Sequence, residues 1–170
     1  MEGKKSSESR ITKTSNVFPN DLNNNNSLFG GKLMSYIDDV ATLSATRHAR
    51  SIVVTASTDS IDFLMPIRRE DSVCLESVVT RTGKTSMEVF VKVVAENQFT
   101  GERRIAATAF TTFVALNNQG QPIPVPPVIP ETDEEKYLFE SAPERANTRH
   151  LKREQSQRLA AILTTKKNWE

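Results

Sequence analysis

Cysteine is nearly absent from this chain of 170 residues. Cys74 stands alone, which excludes an intrachain disulfide framework and a cysteine-based zinc site. Two histidines, His48 and His150, are too few for a His-rich centre, so no metal site is expected. An excess of charge of one sign is missing as well. The 22 Lys and Arg are matched by 21 Asp and Glu, leaving a net charge of +1. Dedicated nucleic-acid binders are usually strongly basic, so that balance argues against one. No apolar run nears the roughly 18–20 residues of a membrane span. The opening MEGKKSSESR has no apolar stretch behind its lysines and does not read as a secretory signal. The hydrophobic 37% suffices for one core. These features predict a single cytoplasmic domain with neither nucleic acid nor membrane as partner.

The chain divides into three parts. Residues 1–9 are polar and read as a disordered tail. Residues 10–130 hold the regular pattern. They begin with a loosely alternating first strand over 10–18. Pro19 to Ser27 contains four consecutive asparagines, and Asn side chains bond their own backbone and favour turns. From 32 to 46, Leu33, Met34, Ile37, Val40, Ala41, Leu43 and Ala45 wrap most of a helix, predicting one buried nearly all round. Extended segments follow over 51–58, 71–81, 85–96 and 103–116. In the third, Met87, Val89, Val91, Val93 and Ala95 share one face, with Glu88, Lys92 and Glu96 on the other, the period of a half-buried strand. Thr82-Gly83-Lys84 is a hairpin turn before it. Five prolines keep 120–130 extended. Residues 131–170 are a charge-balanced helical extension, expected to be solvated or partly disordered. One apolar helix followed by an antiparallel meander is the layer logic of an α+β fold, a sheet wrapped around one helix. Its exposed edges make pairing with a second copy the expectation.

Asp38 is the most informative polar residue. It lies one turn after Met34 and one turn before Thr42, on a stripe expected to face protein, where a carboxylate is expensive. A catalytic carboxylate and a structural one bonded to a neighbour are equally compatible with that placement. Asp39 points about 100° away and reads as ordinary. The asparagine run leads into Leu28-Phe29-Gly30-Gly31 and the helix start. Two glycines there let a ligand approach backbone N–H groups at the positive end of the dipole, suitable for an oxyanion. Nucleophile alternatives are poor: there is no Gly-x-Ser-x-Gly elbow, and Cys74 is mid-strand. His48 near the helix C-terminus reads as a cation favoured by the dipole. Arg81, Lys84, Arg103 and Arg104, at turns and strand ends, are either solvated charges or a patch for a phosphorylated ligand.

Taken together, these segments resemble the hotdog-fold acyl-CoA thioesterases of the cytosolic acyl-CoA hydrolase family, from about Ile11 to Ala142. Asp21 to Gly31 is similar to the family's D-x-N-x-x-G-x-[IL]-F-G-G stretch, with Asn26 in place of its glycine. Leu33-Met34-Ser35-Tyr36-Ile37-Asp38 is similar to its L-M-x-x-[ML]-D helix. Arg47-His48-Ala49, Val53 to Ser57, Asp62-Phe63 and Pro66-Ile67 continue the pattern. Gly83 to Val89 is similar to its G-[RK]-T-S-M-E-V turn and strand, and Phe113 to Leu116 with Pro124 to Pro127 complete it.

The resemblance implies hydrolysis of acyl-CoA to free acid and CoA. Asp38 would be general base or nucleophile, Asn23 would orient water or thioester, and Thr55 would position water or the carboxylate. Backbone at Gly30 and Gly31 would hold the oxyanion. Lys84, Thr85 and Ser86 would lie near the CoA nucleotide, with Arg103 or Arg104 as phosphate contacts. No cofactor is implied, since CoA is part of the substrate. Asn23 and Asp38 of one site would come from different subunits of a dimer, and three dimers would assemble into a hexamer. A non-catalytic acyl-CoA sensor is the competing reading, and nothing in the chain supplies its effector domain. A dehydratase would need a His–carboxylate pair that His48 is poorly placed to make.

Overall fold

The computed structural model describes residues 1–167 and residue 169. A five-stranded antiparallel sheet curves around one helix. Its strands are β2 (Ile11–Asn16), β3 (Ile52–Phe63), β4 (Asp71–Thr82), β5 (Ser86–Asn97) and β6 (Arg103–Leu116), in the order β2-β4-β5-β6-β3. The helix, α1 (Gly30–Ala49), lies in the concave face. Val73, Leu75, Val79, Met87, Val89, Val91 and Val93 project from the central strands and are buried against Leu33, Ile37, Val40, Ala41 and Ala45 of the helix. The alternation along β5 therefore reports its inner face correctly.

Three expectations change. Residues 1–9 are not a disordered tail. β1 (Lys4–Lys5) pairs in parallel with β7 (Val128–Ile129), a single 3₁₀ turn covers Ser6–Glu8, and Ser6 and Ser9 are buried. Ser44 of α1 donates 2.8 Å to the Ser9 carbonyl, so a polar segment is held by backbone groups rather than by apolar area.

The extension is not merely solvated either. α2 (Asp133–Ile162) starts in a capping box between Thr132 and Glu135 and lays Leu138 on the outer face of the sheet against Val78 and Phe90, with Ala142 and Ala146 buried further along the helix. Glu88, assigned to the solvent face of β5, is consequently buried; Thr80, Arg145 and Arg149 bond its carboxylate. Beyond Arg149 the side chains of α2 are exposed.

Finally, α1 is not buried all round. Met34 and Leu43 are 47% and 48% exposed, on the side of the helix that the sheet leaves uncovered. There β3 is an edge strand with one hydrogen-bonding side free, and Ile52, Val54 and Phe63 are exposed along it.

Candidate active site

The asparagine loop is built around one side chain. Oδ1 of Asn23 accepts from the N–H of Asn25 at 2.9 Å and from the N–H and hydroxyl of Ser27, both at 3.2 Å. Asn26 has φ 54°, the left-handed conformation that Asn tolerates and most residues do not, so it replaces the family's glycine without opening the loop. The loop is tied down where Leu28 N–H donates to Ile67 and Phe29 N–H to Asp21. It delivers the chain to α1, whose N-terminus no side chain caps. Gly30 and Gly31 N–H groups have no acceptor among the described residues. At Gly31 a Cβ would meet the exposed Phe29 ring at 2.6 Å, so any side chain there would have to push that ring aside. Asn23, Gly30, Leu33, Phe63 and Met65 line a cavity of about 340 Å³. Of the four consecutive asparagines, only Asn23 lines it.

Asp38 lies further along α1. Its stripe faces open solvent in the single chain, not protein as expected, because the sheet covers only the other side of the helix. One bond holds the carboxylate: the hydroxyl of Thr55 on β3 donates to Oδ1 at 3.2 Å. Thr55 pairs with Phe113 of β6, and a bulge follows immediately at Ala56. Asp39 pairs with Lys13 at 2.5 Å on the surface. Nothing bonds Asn23 to Asp38 within one chain.

The residues assigned to CoA do not converge within one chain. Lys84, Thr85 and Ser86 form the β4–β5 hairpin turn, closed by Gly83 N–H donating to Ser86 at 2.8 Å. Arg103 and Arg104 sit at the other end of β5, opposite Glu96 and Ala95. Arg104 is committed to the buried Asp71 and to the Pro66 carbonyl, and Arg103 pairs with Glu96 at 3.2 Å. Arg81 donates to the Ala142 carbonyl of α2 and is likewise structural. His48 is no exposed cation at the helix end. It is fully buried, its Nε2–H donates to the Pro126 carbonyl at 2.8 Å, and burial pushes its pKa below the ordinary value. Lys4 supplies the cation, donating to the His48 carbonyl at 2.7 Å.

Residues 25–101 match the model of the thioesterase superfamily. Over 162 residues the chain is 60% identical to a Bacillus subtilis protein described as an uncharacterized acyl-CoA thioester hydrolase, covering 95% of this chain and 94% of that protein. The chain belongs to the thioesterase superfamily, among its acyl-CoA hydrolases. The structure of a Staphylococcus aureus acyl-CoA hydrolase in complex with butyryl-CoA, CoA and CoA disulfide superposes with TM-score 0.90 at 42% identity, covering 93% of this hydrolase and 96% of that chain. Other structures of the S. aureus enzyme are of variants in which an asparagine, an aspartate or a threonine is changed to alanine. A hexameric acyl-CoA thioesterase superposes with TM-score 0.84 at 44% identity, over 96% of this chain and 100% of that one. The hydrolase therefore has the hotdog fold, with α2 laid on its outer face. No helix among its described residues is long and apolar enough to cross a membrane.

Proposed function

We propose that this hydrolase splits acyl-CoA into free acid and CoA at a site shared by two copies, with Asp38, Thr55, Asn23 and the Gly30–Gly31 backbone as its working parts. The supporting observation is the Thr55–Asp38 hydrogen bond beside a free sheet edge. The asparagine, aspartate and threonine changed in the S. aureus enzyme are separated by 15 and 17 positions, the same spacings as Asn23, Asp38 and Thr55.

Asp38 takes a proton from water as the water oxygen attacks the thioester carbonyl. Thr55 orients the carboxylate. The tetrahedral oxyanion is received by the free N–H groups at Gly30 and Gly31, at the positive end of α1. Collapse breaks the C–S bond, and the proton held by Asp38 passes to the departing thiolate. Direct attack by Asp38 uses the same geometry and gives a mixed anhydride that water then opens. Neither route uses a metal or a cofactor, so activity should survive chelators. The CoA nucleotide rests on Lys84, Thr85 and Ser86. Arg103 and Arg104 reach the same nucleotide only from another copy. The enzyme works in the cytoplasm, alongside its CoA-bound substrates.

Edge geometry favours a shared site. Antiparallel pairing of two β3 edges about a two-fold near the middle of Ile52–Phe63 sets Phe63 of one copy near Ile52 of the other. The Asn23–Gly30 cavity, beside Phe63, then meets Asp38 and Thr55 of the second copy. Pairing also covers Met34, Val54 and the open side of α1, and three such dimers would form a hexamer. Co-refolding Asn23→Ala with Asp38→Ala tests this. Each mixed dimer regains one intact site, so roughly a quarter of sites should release thiol, given two-fold symmetry. Mixed dimers detected by mass spectrometry that stay inactive would refute the shared site.

A further inference from the structure

The edge strand that carries Thr55 is irregular. Its ladder with β6 slips twice, between Thr55 and Ser57 and between Thr58 and Ser60, leaving Ala56 and Asp59 as extra residues. Without those bulges Asp59 would fall on the same face as Thr55, by strict alternation. With them it turns to the outer face and meets α2. One carboxylate oxygen accepts from the Thr112 hydroxyl at 2.7 Å and from the Arg149 guanidinium at 2.9 Å; the other accepts from Ser57 at 2.5 Å. Lys152 donates to the Asp59 carbonyl at 3.3 Å. Arg149 is itself fixed, reaching the buried Glu88 at 3.3 Å, where Arg145 and Thr80 bind the same carboxylate. The side chains of Asp59 and Arg149 are 13% and 19% exposed, so the contact is largely shielded from solvent.

We propose that Asp59 and Arg149 are positioning residues for hydrolysis: the C-terminal helix, anchored on Glu88, grips the bulged edge strand and holds Thr55 in bonding range of Asp38. The physical reason is local. Twice interrupted on its β6 side, β3 has an irregular ladder there and fewer backbone bonds to fix its slide and twist over residues 55–60. Bulges commonly re-aim side chains next to active sites, and here the re-aimed residue is a tether. The inference rests on the proposed roles of Asp38 and Thr55 and adds the parts that hold them in place. No motif marks Asp59 or Arg149, because their meeting requires both a bulge and a helix 90 residues on.

The experiment measures kcat and KM for acyl-CoA hydrolysis by full-length Asp59→Ala, Arg149→Met and the double variant. Arg10→Met, which breaks the ion pair to Glu135 at the other end of α2, is the control for general loosening of that helix. Misplacement of reacting groups by about 1 Å costs up to about a hundredfold, and a loosened tether should cost about tenfold in kcat. KM should stay within about twofold, the double variant should be no worse than either single one, and Arg149→Lys should recover part of the rate. Arg10→Met should lower the melting temperature and leave kcat alone. The proposal is overturned if folded Asp59→Ala and Arg149→Met keep kcat within twofold of wild type. It is also overturned if their losses multiply, if Arg10→Met loses kcat equally, or if activity returns on raising protein concentration, which would place the defect in assembly. Asp38→Asn and Thr55→Ala are measured alongside: full turnover in them refutes the parent reading, whereas their inactivity beside active Asp59 and Arg149 variants refutes only the tether.

Discussion

Thr55 and Asp38 belong to different layers, edge strand and central helix, and one 3.2 Å hydrogen bond joins them across the open side of the fold. Asp38→Asn keeps nearly the same shape and cannot take a proton. It should leave the fold intact and lower turnover by about 10²–10⁴-fold, the usual loss for a general base. Thiol release at matched protein concentration reads the result. Turnover within a few-fold of wild type would remove Asp38 from the mechanism.

Thr55→Val keeps the β-branched shape and deletes the donor. A hydrogen bond to a charged group is worth about 1.5–3 kcal/mol, so kcat should fall roughly 10- to 100-fold. Thr55→Ser should retain most activity. If valine and serine behave alike, the hydroxyl is not what matters.

Acid should weaken the fold through His48. Its folded pKa is lowered by burial, so the unfolded chain binds the proton more tightly. Stability from this residue is full above the unfolded value of about 6.5 and is lost as pH falls below it. Glu135 acts in the same sense lower on the scale. Burial pushes its pKa up, but the N–H groups of Thr132 and Glu131 and the Arg10 guanidinium outweigh that and hold it down. Thermal melts of His48→Leu between pH 7.5 and 5.5 should show a flatter slope than wild type. Equal slopes would acquit His48.

Much of this was open to sequence reading, for identifiable reasons. Strand β6 falls on Arg103–Leu116 as read, and β5 shows its inner face in plain alternation. The asparagine loop leads through Phe29 into α1, as the order of segments reads. The misses share a cause: each depends on a partner distant in the chain. Glu88 looks solvent-facing until α2 lies on it. Ser6 and Ser9 look like tail until Val128–Ile129 offers an edge. Arg104 looks like a solvated charge at a strand end until Asp71 pairs with it.

Removing residues 1–9 should therefore cost stability. The buried Ser9, the β1–β7 pairing and the Lys4 contact to α1 all go. A loss of about 2 kcal/mol corresponds to a melting temperature lower by about 4–8 °C for a chain of this size. An unchanged melting temperature would return these residues to the status of a tail.

Cys74 pairs with Thr14 and Val94 in mid-sheet and is only partly accessible. Cys74→Ser should hydrolyse acyl-CoA at the wild-type rate. Inactivation by one equivalent of an alkylating agent, with protection by substrate, would point instead to a thiol nucleophile.

The burial of Glu88 also has a consequence in time. Arg145 follows it by 57 residues, which a ribosome adding about 5–20 residues per second takes roughly 3–11 seconds to make. For the first half of that interval β5 and β6 are themselves still being made; once Leu116 is added the nascent sheet has its strands but not its counter-charge, and water must keep the outer face open around the carboxylate. The two faces of the sheet thus mature on different clocks: the inner one can close on a helix already synthesised, while the outer one waits for α2.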